Sequence, residues 1–205
     1  MIHSAITFGK KIPMAKCAVF EHSTGKKHSV LISELDCKDF SDIELISQNE
    51  SQFDFKGVIT QLMKNKHFKL NPNLKEYDVS KIYEPLNDHF FISELEDGTA
   101  LGICETFINP YRKDTCVDFI ETEKSKKYKY AGQTLLAALG LNTLKNSREN
   151  LIINLPLESA KPFYIDVCGF SEVSEKKLEM KEADIKNFIK TVESRTKSPI
   201  IDLEI

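Results

Sequence analysis

The stretch from Thr115 to Leu155 constrains the fold more than any other part of the chain. TCVDFIET at 115–122 is rich in β-branched and aromatic residues and reads as a strand. LIINL at 151–155 is short and wholly apolar, the pattern of a strand buried on both faces. Between them, residues 131–146 are dominated by Ala and Leu and read as a helix, which Asn146 to Asn150 breaks. Two strands joined by a helix form a crossover unit, so these two strands are expected to run parallel.

The flanking segments fill out a sheet. Residues 89–95 and 100–108 read as strands around the Asp97-Gly98 turn, a strong hairpin signal. With 115–122 they make an antiparallel meander. AKCAVFE at 15–21 and HSVLISELD at 28–36 read as an earlier hairpin around STGKK. Helices are expected at 39–48 and 53–68, and 74–86 is left mostly as coil. Downstream, a short helix is expected at 158–167, a strand near 170–174, and a helix at 182–193 with Ile185, Phe188, Ile189 and Val192 on one face. The sum is a mixed α/β (α+β) fold in one domain spanning 1–205. Its central sheet is mostly antiparallel with one parallel pair, and helices lie on both faces.

Composition excludes several classes of function. Net charge is −3, so no global field drives the chain onto nucleic acid or an anionic membrane. The five cysteines (Cys17, Cys37, Cys104, Cys116, Cys168) and five histidines show no metal-ligand spacing. Widely spaced, odd-numbered cysteines suit reduced thiols and a cytoplasmic location. Cys168 reads as a small buried residue rather than a nucleophile, since no histidine follows His89 in sequence. No apolar stretch approaches the ~20 residues of a membrane helix, and MIHSAITFGKKIPMAK lacks a signal-peptide core.

Chemistry concentrates between the meander and the 131–146 helix. KSKKYKYAG, residues 124–132, places four lysines and a glycine at a helix start. Unpaired N–H groups and the positive end of the helix dipole converge there, which suits a phosphate. The same residues are compatible with a solvated lysine-rich turn. They are also compatible with stacking of Tyr128 and Tyr130 on a single-stranded nucleic acid, though six residues at this net charge make nucleic acid a weak partner.

This arrangement resembles the GNAT superfamily of acetyl-CoA-dependent N-acetyltransferases, whose pattern here is Gln/Arg-x-x-Gly-x-Gly/Ala before an apolar helix. Lys127, Tyr128, Lys129, Tyr130, Ala131 and Gly132 occupy the six positions. Tyr130 stands in place of the first Gly and Gly132 matches the second. A second pattern, Asn-x-x-Ala-x-x-Phe-Tyr-x-x-x-Gly-Phe, is met by Ala160, Phe163, Tyr164, Gly169 and Phe170, with Leu157 at the Asn position. The resemblance covers about 88–175. Residues 1–87 would shape the acceptor site, and 176–205 would add a C-terminal helix and tail.

The resemblance implies an acetyltransferase that moves an acetyl group from acetyl-CoA to an amine by direct attack in a ternary complex. It implies that backbone N–H groups near 128–133 hold the pyrophosphate, with Lys127, Tyr128, Lys129, Tyr130, Ala131, Gly132 and Gln133 as coenzyme contacts. Ile120 and Thr122 on the preceding strand would hold the pantetheine arm. A Cβ at Tyr130 would hold the backbone away from the phosphate, and a negative φ there would leave the turn unchanged. Tyr164 would be the general acid for the leaving thiolate, unless it is only half of an aromatic pair with Phe163. Asp118 or Glu121, on opposite faces if the strand alternates regularly, would be the base, with Asp118 preferred and Glu105 a third candidate. No metal is implied. The alternative is a catalytically silent acyl-CoA-binding or protein-interaction module on the same fold. Homodimer formation is left open.

Overall fold

The computed structural model describes residues 11–35, 88–109 and 112–203. The expected helices at 39–48 and 53–68, the coil at 74–86 and Cys37 lie outside the described residues.

The first hairpin forms as the alternation predicts. β1 (Lys11–Glu21) pairs antiparallel with β2 (Lys27–Leu35). β2 then pairs with β3 (Asp88–Leu95), β3 with β4 (Ala100–Asn109), and β4 with β5 (Asp114–Thr122), all antiparallel. Gly98 takes φ 84 in the β3–β4 turn, a conformation that costs glycine little.

β7 (Asn150–Asn154) lies parallel to β5, as the crossover requires. The helix between them, α1 (Ala131–Lys145), packs Leu135, Leu136 and Leu139 at 0 to 1% exposure. Burying each such side chain stabilises the fold by roughly 1.5–3 kcal/mol. α1, β1 to β5 and β7 all contribute to one apolar cluster. α2 (Glu182–Thr196) joins the same cluster through Ile185, Phe188 and Val192.

Several elements were not evident from sequence. A two-residue strand, β6 (Tyr128–Lys129), pairs with Phe20 and Glu21 of β1. β8 (Ser171–Ser174), the strand expected near 170–174, pairs with an unexpected strand, β9 (Lys177–Lys181), which pairs with β7. β9 hides in SEKKLEMKEADIK, whose Glu and Lys content reads as helix, although Leu178 and Met180 alternate inward. β10 (Ile201–Asp202) adds to the free side of β1. The order is β10-β1-β2-β3-β4-β5-β7-β9-β8, with β6 attached to β1.

One expectation needs correction. β7 ends at Asn154, and Leu155 leaves it with φ 47 and 71% exposure, so the apolar run is not buried to its end. Gly140, inside α1, sits where a Cβ would meet Ile185 Cγ2 at 2.8 Å. Its missing side chain is what lets α2 dock on α1. Among the described residues no helix is long and apolar enough to cross a membrane.

Candidate active site

The site begins where two parallel strands part. β5 and β7 pair from Asp114↔Asn150 to Val117↔Ile153 and no further. The reason lies on β5. Thr106 pairs with Val117 and Glu105 with Phe119, so Asp118 is an extra residue, a bulge in the ladder. Each end of the parallel pairing carries an amide-to-carboxylate clasp. Asn150 Nδ2 donates to Asp114 Oδ1 at 2.7 Å, and Asn154 Nδ2 donates to Asp118 Oδ1 at 2.8 Å. Beyond Asp118, residues 119–122 of β5 continue without β7 beside them.

The bulge also overturns the parity argument for the carboxylates. Regular alternation would set Asp118 and Glu121 on opposite faces, but alternation is broken at Asp118 itself. Asp118 is exposed and held by Asn154. Glu121 is half-buried opposite Ile103, and Glu105 is half-buried opposite Phe119.

Above the fork lies the start of α1. A cleft of about 130 Å³ is lined by Thr122, Glu123, Lys126, Tyr128, Tyr130, Ala131, Gly132, Gln133 and Phe163. Six of the nine predicted coenzyme contacts therefore meet at one cleft: Thr122, Tyr128 and Tyr130 to Gln133. Ile120 lies below it, half-buried and packed against the core. The first turn of α1 contains no acidic residue, and no side chain caps it. Its leading N–H groups are the orphan donors of a helix start. A Cβ on Gly132 would sit 3.4 Å from both Phe163 Cζ and Thr122 Cγ2, within ordinary contact, and would project into this cleft's lining.

The lysine turn is organised differently from expectation. Glu123, 8% exposed, turns its carboxylate back into the loop. Oε1 accepts the N–H of Lys127 at 2.7 Å and that of Tyr128 at 3.5 Å, while Ser125 donates its hydroxyl to Oε2. An internal anion thus occupies donors that the sequence reading assigned to a phosphate. Lys129 lies in β6 opposite Phe20. The Lys127 ammonium stands 3.3 Å from Glu21 and over the Tyr128 ring.

Tyr130 takes φ 72 and ψ 5, the left-handed region, at the N-cap of α1. The negative φ that would have left this turn unchanged is not what it adopts. A side chain there costs roughly 1–2 kcal/mol relative to the right-handed alternative. The ring is placed edge-on to Phe20, with centroids 6.4 Å apart.

The predicted helix at 158–167 is a turn followed by a π-helix, Phe163–Cys168. Four residues separate Tyr164 from Gly169, one more than the pattern in the sequence reading, and the wider π turn absorbs the extra residue. Gly169 closes it at φ 86, and the Phe170 N–H returns to Tyr164 O at 3.0 Å. Tyr164 is 7% exposed and packs edge-on against Phe163 and Phe170. Burial pushes its phenol up to about 12, with Cys104 and Cys168 adding to the rise. Burial also pushes the Cys104 thiol well up, with further contributions from Glu105 and Asp118, so the acid and the carboxylate candidates share Cys104 as a neighbour. Cys168 is buried, with its thiol pushed up to about 12, as a core residue would be.

One residue was missed by sequence reasoning. Arg195, near the end of α2, donates through Nη1 to Gln133 Oε1 at 3.0 Å and to Val167 O at 3.3 Å. It brings a guanidinium to the first turn of α1, and its distance in sequence left no local signal. Among the described residues no cluster of His, Cys, Asp and Glu could hold a metal ion.

No protein-family profile matches the sequence, and no curated protein matches it. Solved structures do. Spermidine N-acetyltransferase from Vibrio cholerae, in complex with CoA and spermine, aligns with a TM-score of 0.51 at 14% identity, over 77% of this chain and 98% of that one. Spermidine/spermine N-acetyltransferase SpeG from Vibrio cholerae, in complex with manganese ions, aligns with a TM-score of 0.51 at 16% identity, over 77% and 95%. Nourseothricin acetyltransferase aligns over 46% of this chain and 65% of its own length, at 14% identity and a TM-score of 0.37. At these identities the likeness is one of fold. A mostly antiparallel sheet, one parallel pair that forks, and a helix start packed on the strand beyond the fork give this chain the fold of those N-acetyltransferase structures.

Proposed function

We propose that the chain is an acetyl-CoA-dependent N-acetyltransferase acting on an amine. The observation that carries this reading is the cleft at the uncapped start of α1, lined by Thr122 at the end of the β5 stretch that β7 has left. N–H groups of Ala131, Gly132 and Gln133 receive the pyrophosphate, with Lys126 and Arg195 supplying positive charge nearby. The pantetheine arm runs along 119–122, the stretch of β5 beyond its pairing with β7. Main-chain donors at the thioester carbonyl contribute a few kcal/mol to the developing oxyanion.

In the reaction, the amine nitrogen forms a bond to the acetyl carbon and the carbon–sulfur bond breaks. Asp118 or Glu121 receives the proton leaving the amine. Tyr164 gives its proton to the thiolate. A phenol held at about 12 stays protonated throughout the working range, so the acid is always armed. The location is read as cytoplasmic, and the acceptor as an amine of a small molecule or protein.

Glu123 favours a second reading, a silent acyl-CoA-binding module, because its carboxylate already fills part of the loop. Titration calorimetry with acetyl-CoA, followed by thiol release across an amine panel, separates the two. Tyr164→Phe is expected to lower turnover ~10²-fold with acetyl-CoA affinity unchanged. Wild-type turnover in that variant removes Tyr164 from the chemistry, and absence of acetyl-CoA binding removes both readings.

A further inference from the structure

A second polar cavity, of about 180 Å³, lies under the other end of α1. Its walls include Glu34 at the end of β2, His89 at the start of β3, Thr106 on β4, Thr115 on β5, and Asn142 and Arg148 at the end of α1. The 15-residue helix spans about 22 Å at 1.5 Å per residue, so this cavity is remote from the cleft at Gly132.

Arg148 is half-buried, and its position is fixed. Nη1 donates to Thr115 Oγ1 at 3.2 Å; Thr115 is 3% exposed and is hydrogen-bonded at 2.9 Å to Thr143, which is fully buried. Among the described residues the other guanidinium donors have no partner, and no carboxylate comes within ion-pair distance. Burial lowers the guanidinium pKa, while Glu34 acts in the opposite direction. Glu34 therefore lies within electrostatic reach of Arg148 without touching it. Its own contact is His89 Nδ1 at 2.5 Å.

Two opposite charges thus face one small cavity and do not meet. Each has lost part of its hydration, and neither recovers it from the other. A simple anion would gain Arg148 but meet Glu34. A simple cation would gain Glu34 but meet Arg148. A molecule carrying both charges satisfies both walls, and the guanidinium fork matches a carboxylate in two parallel hydrogen bonds. Thr106 and Asn142 add neutral polar groups to the lining. A cavity of this size is in keeping with a ligand as small as an amino acid.

We propose that this cavity binds a small zwitterion of the α-amino-acid class, its carboxylate on Arg148 and its ammonium on Glu34. This does not rest on the acetyltransferase reading. Titration calorimetry on the full chain with glycine, L-alanine, L-serine and L-threonine, beside acetate, methylamine and inorganic phosphate, tests it. At least one amino acid is expected to bind about tenfold or more tightly than acetate, methylamine or phosphate. Arg148→Met and Glu34→Gln are each expected to weaken it by about tenfold or more. Arg148→Lys, which keeps the charge and the packing stem, should weaken it less than Arg148→Met and guards against a folding artefact. The proposal is overturned if none of the four binds at about 10 mM. It is equally overturned if acetate or phosphate binds as tightly as the amino acids, or if neither the Arg148→Met nor the Glu34→Gln change alters binding.

Discussion

Glu123 and Lys127 are joined through the main chain rather than by an ion pair: the carboxylate accepts the Lys127 N–H at 2.7 Å. This acidic residue does for its own loop what a bound phosphate does for many others, supplying an anion to converging amides. It fixes the lysine turn and also places a negative charge at the rim of the cleft. The two effects are separable. Glu123→Gln keeps an acceptor for Lys127 and removes the charge, so acetyl-CoA should bind roughly two- to fivefold tighter. Glu123→Ala strands the amides and should cost about 1–3 kcal/mol of stability in urea unfolding. Weaker coenzyme binding in Glu123→Gln would show that the charge is not opposing the phosphates.

Tyr130 gives a second prediction. Tyr130→Gly relieves the left-handed strain but loses the ring contact with Phe20, and Tyr130→Ala loses the contact while keeping the strain. The glycine variant should therefore be more stable than the alanine variant by about 1 kcal/mol. It should also bind acetyl-CoA more tightly than wild type, because the backbone can approach the phosphates. Equal unfolding midpoints for the two variants would contradict the assigned strain.

Gly140 reverses an ordinary expectation. Helix propensity alone makes Gly140→Ala stabilising by about 1 kcal/mol. The 2.8 Å approach to Ile185 Cγ2 makes it destabilising instead, by about 1–3 kcal/mol once overpacking is included. The penalty should shrink when Ile185 is also changed to Ala, since the clashing methyl is gone. A double-mutant cycle reads this coupling directly, and additive effects would contradict it.

The buried phenol and thiols set an alkaline limit on stability. Tyr164, Cys17 and Cys168 are pushed up to about 12 and Cys116 to about 11, all by burial. Raised values mean that the folded state holds these protons longer than the unfolded chain, where thiols titrate near 8.5 and phenols near 10. Their contribution is fully present below about pH 8.5 and is lost as pH rises towards 11 and 12. Each thiol should remove about 1.4 kcal/mol per pH unit across that window. Urea unfolding between about pH 8 and pH 11 should show a steady fall, and a flat profile would contradict the burial of these groups.

Sequence revealed the strands better than the site. The β3–β4 turn was legible because Asp97-Gly98 encodes it locally, and α1 because Ala and Leu fill it. β9 was not, since Lys and Glu dominate its composition and only its inward Leu178 and Met180 betray the alternation. β6 and β10 are two-residue strands whose pairing with β1 no local window contains. At the site, Gly132 and Tyr164 could be placed by their spacing from neighbouring elements. The bulge at Asp118 could not, because a bulge is a property of two strands in register, and it breaks the regular alternation on which the choice between the carboxylates rested. Glu123 and Arg195 escaped for a related reason, as their roles depend on a loop curling back and on a helix arriving from the far end of the chain.

The two-residue β6 has a consequence for how the molecule assembles. Phe20 and Lys129 become partners across more than a hundred intervening residues, so their pairing demands one of the longest chain closures in the sheet. Contacts of that range carry their entropy cost before they are rewarded, and they slow the search for the native state. The β1–β6 pairing can therefore form only after the amino-terminal hairpin is in place, although Glu123 already shapes the lysine turn locally. What the long closure adds is an anchor that ties this turn to the far edge of the sheet, whatever the speed at which α1 itself coils.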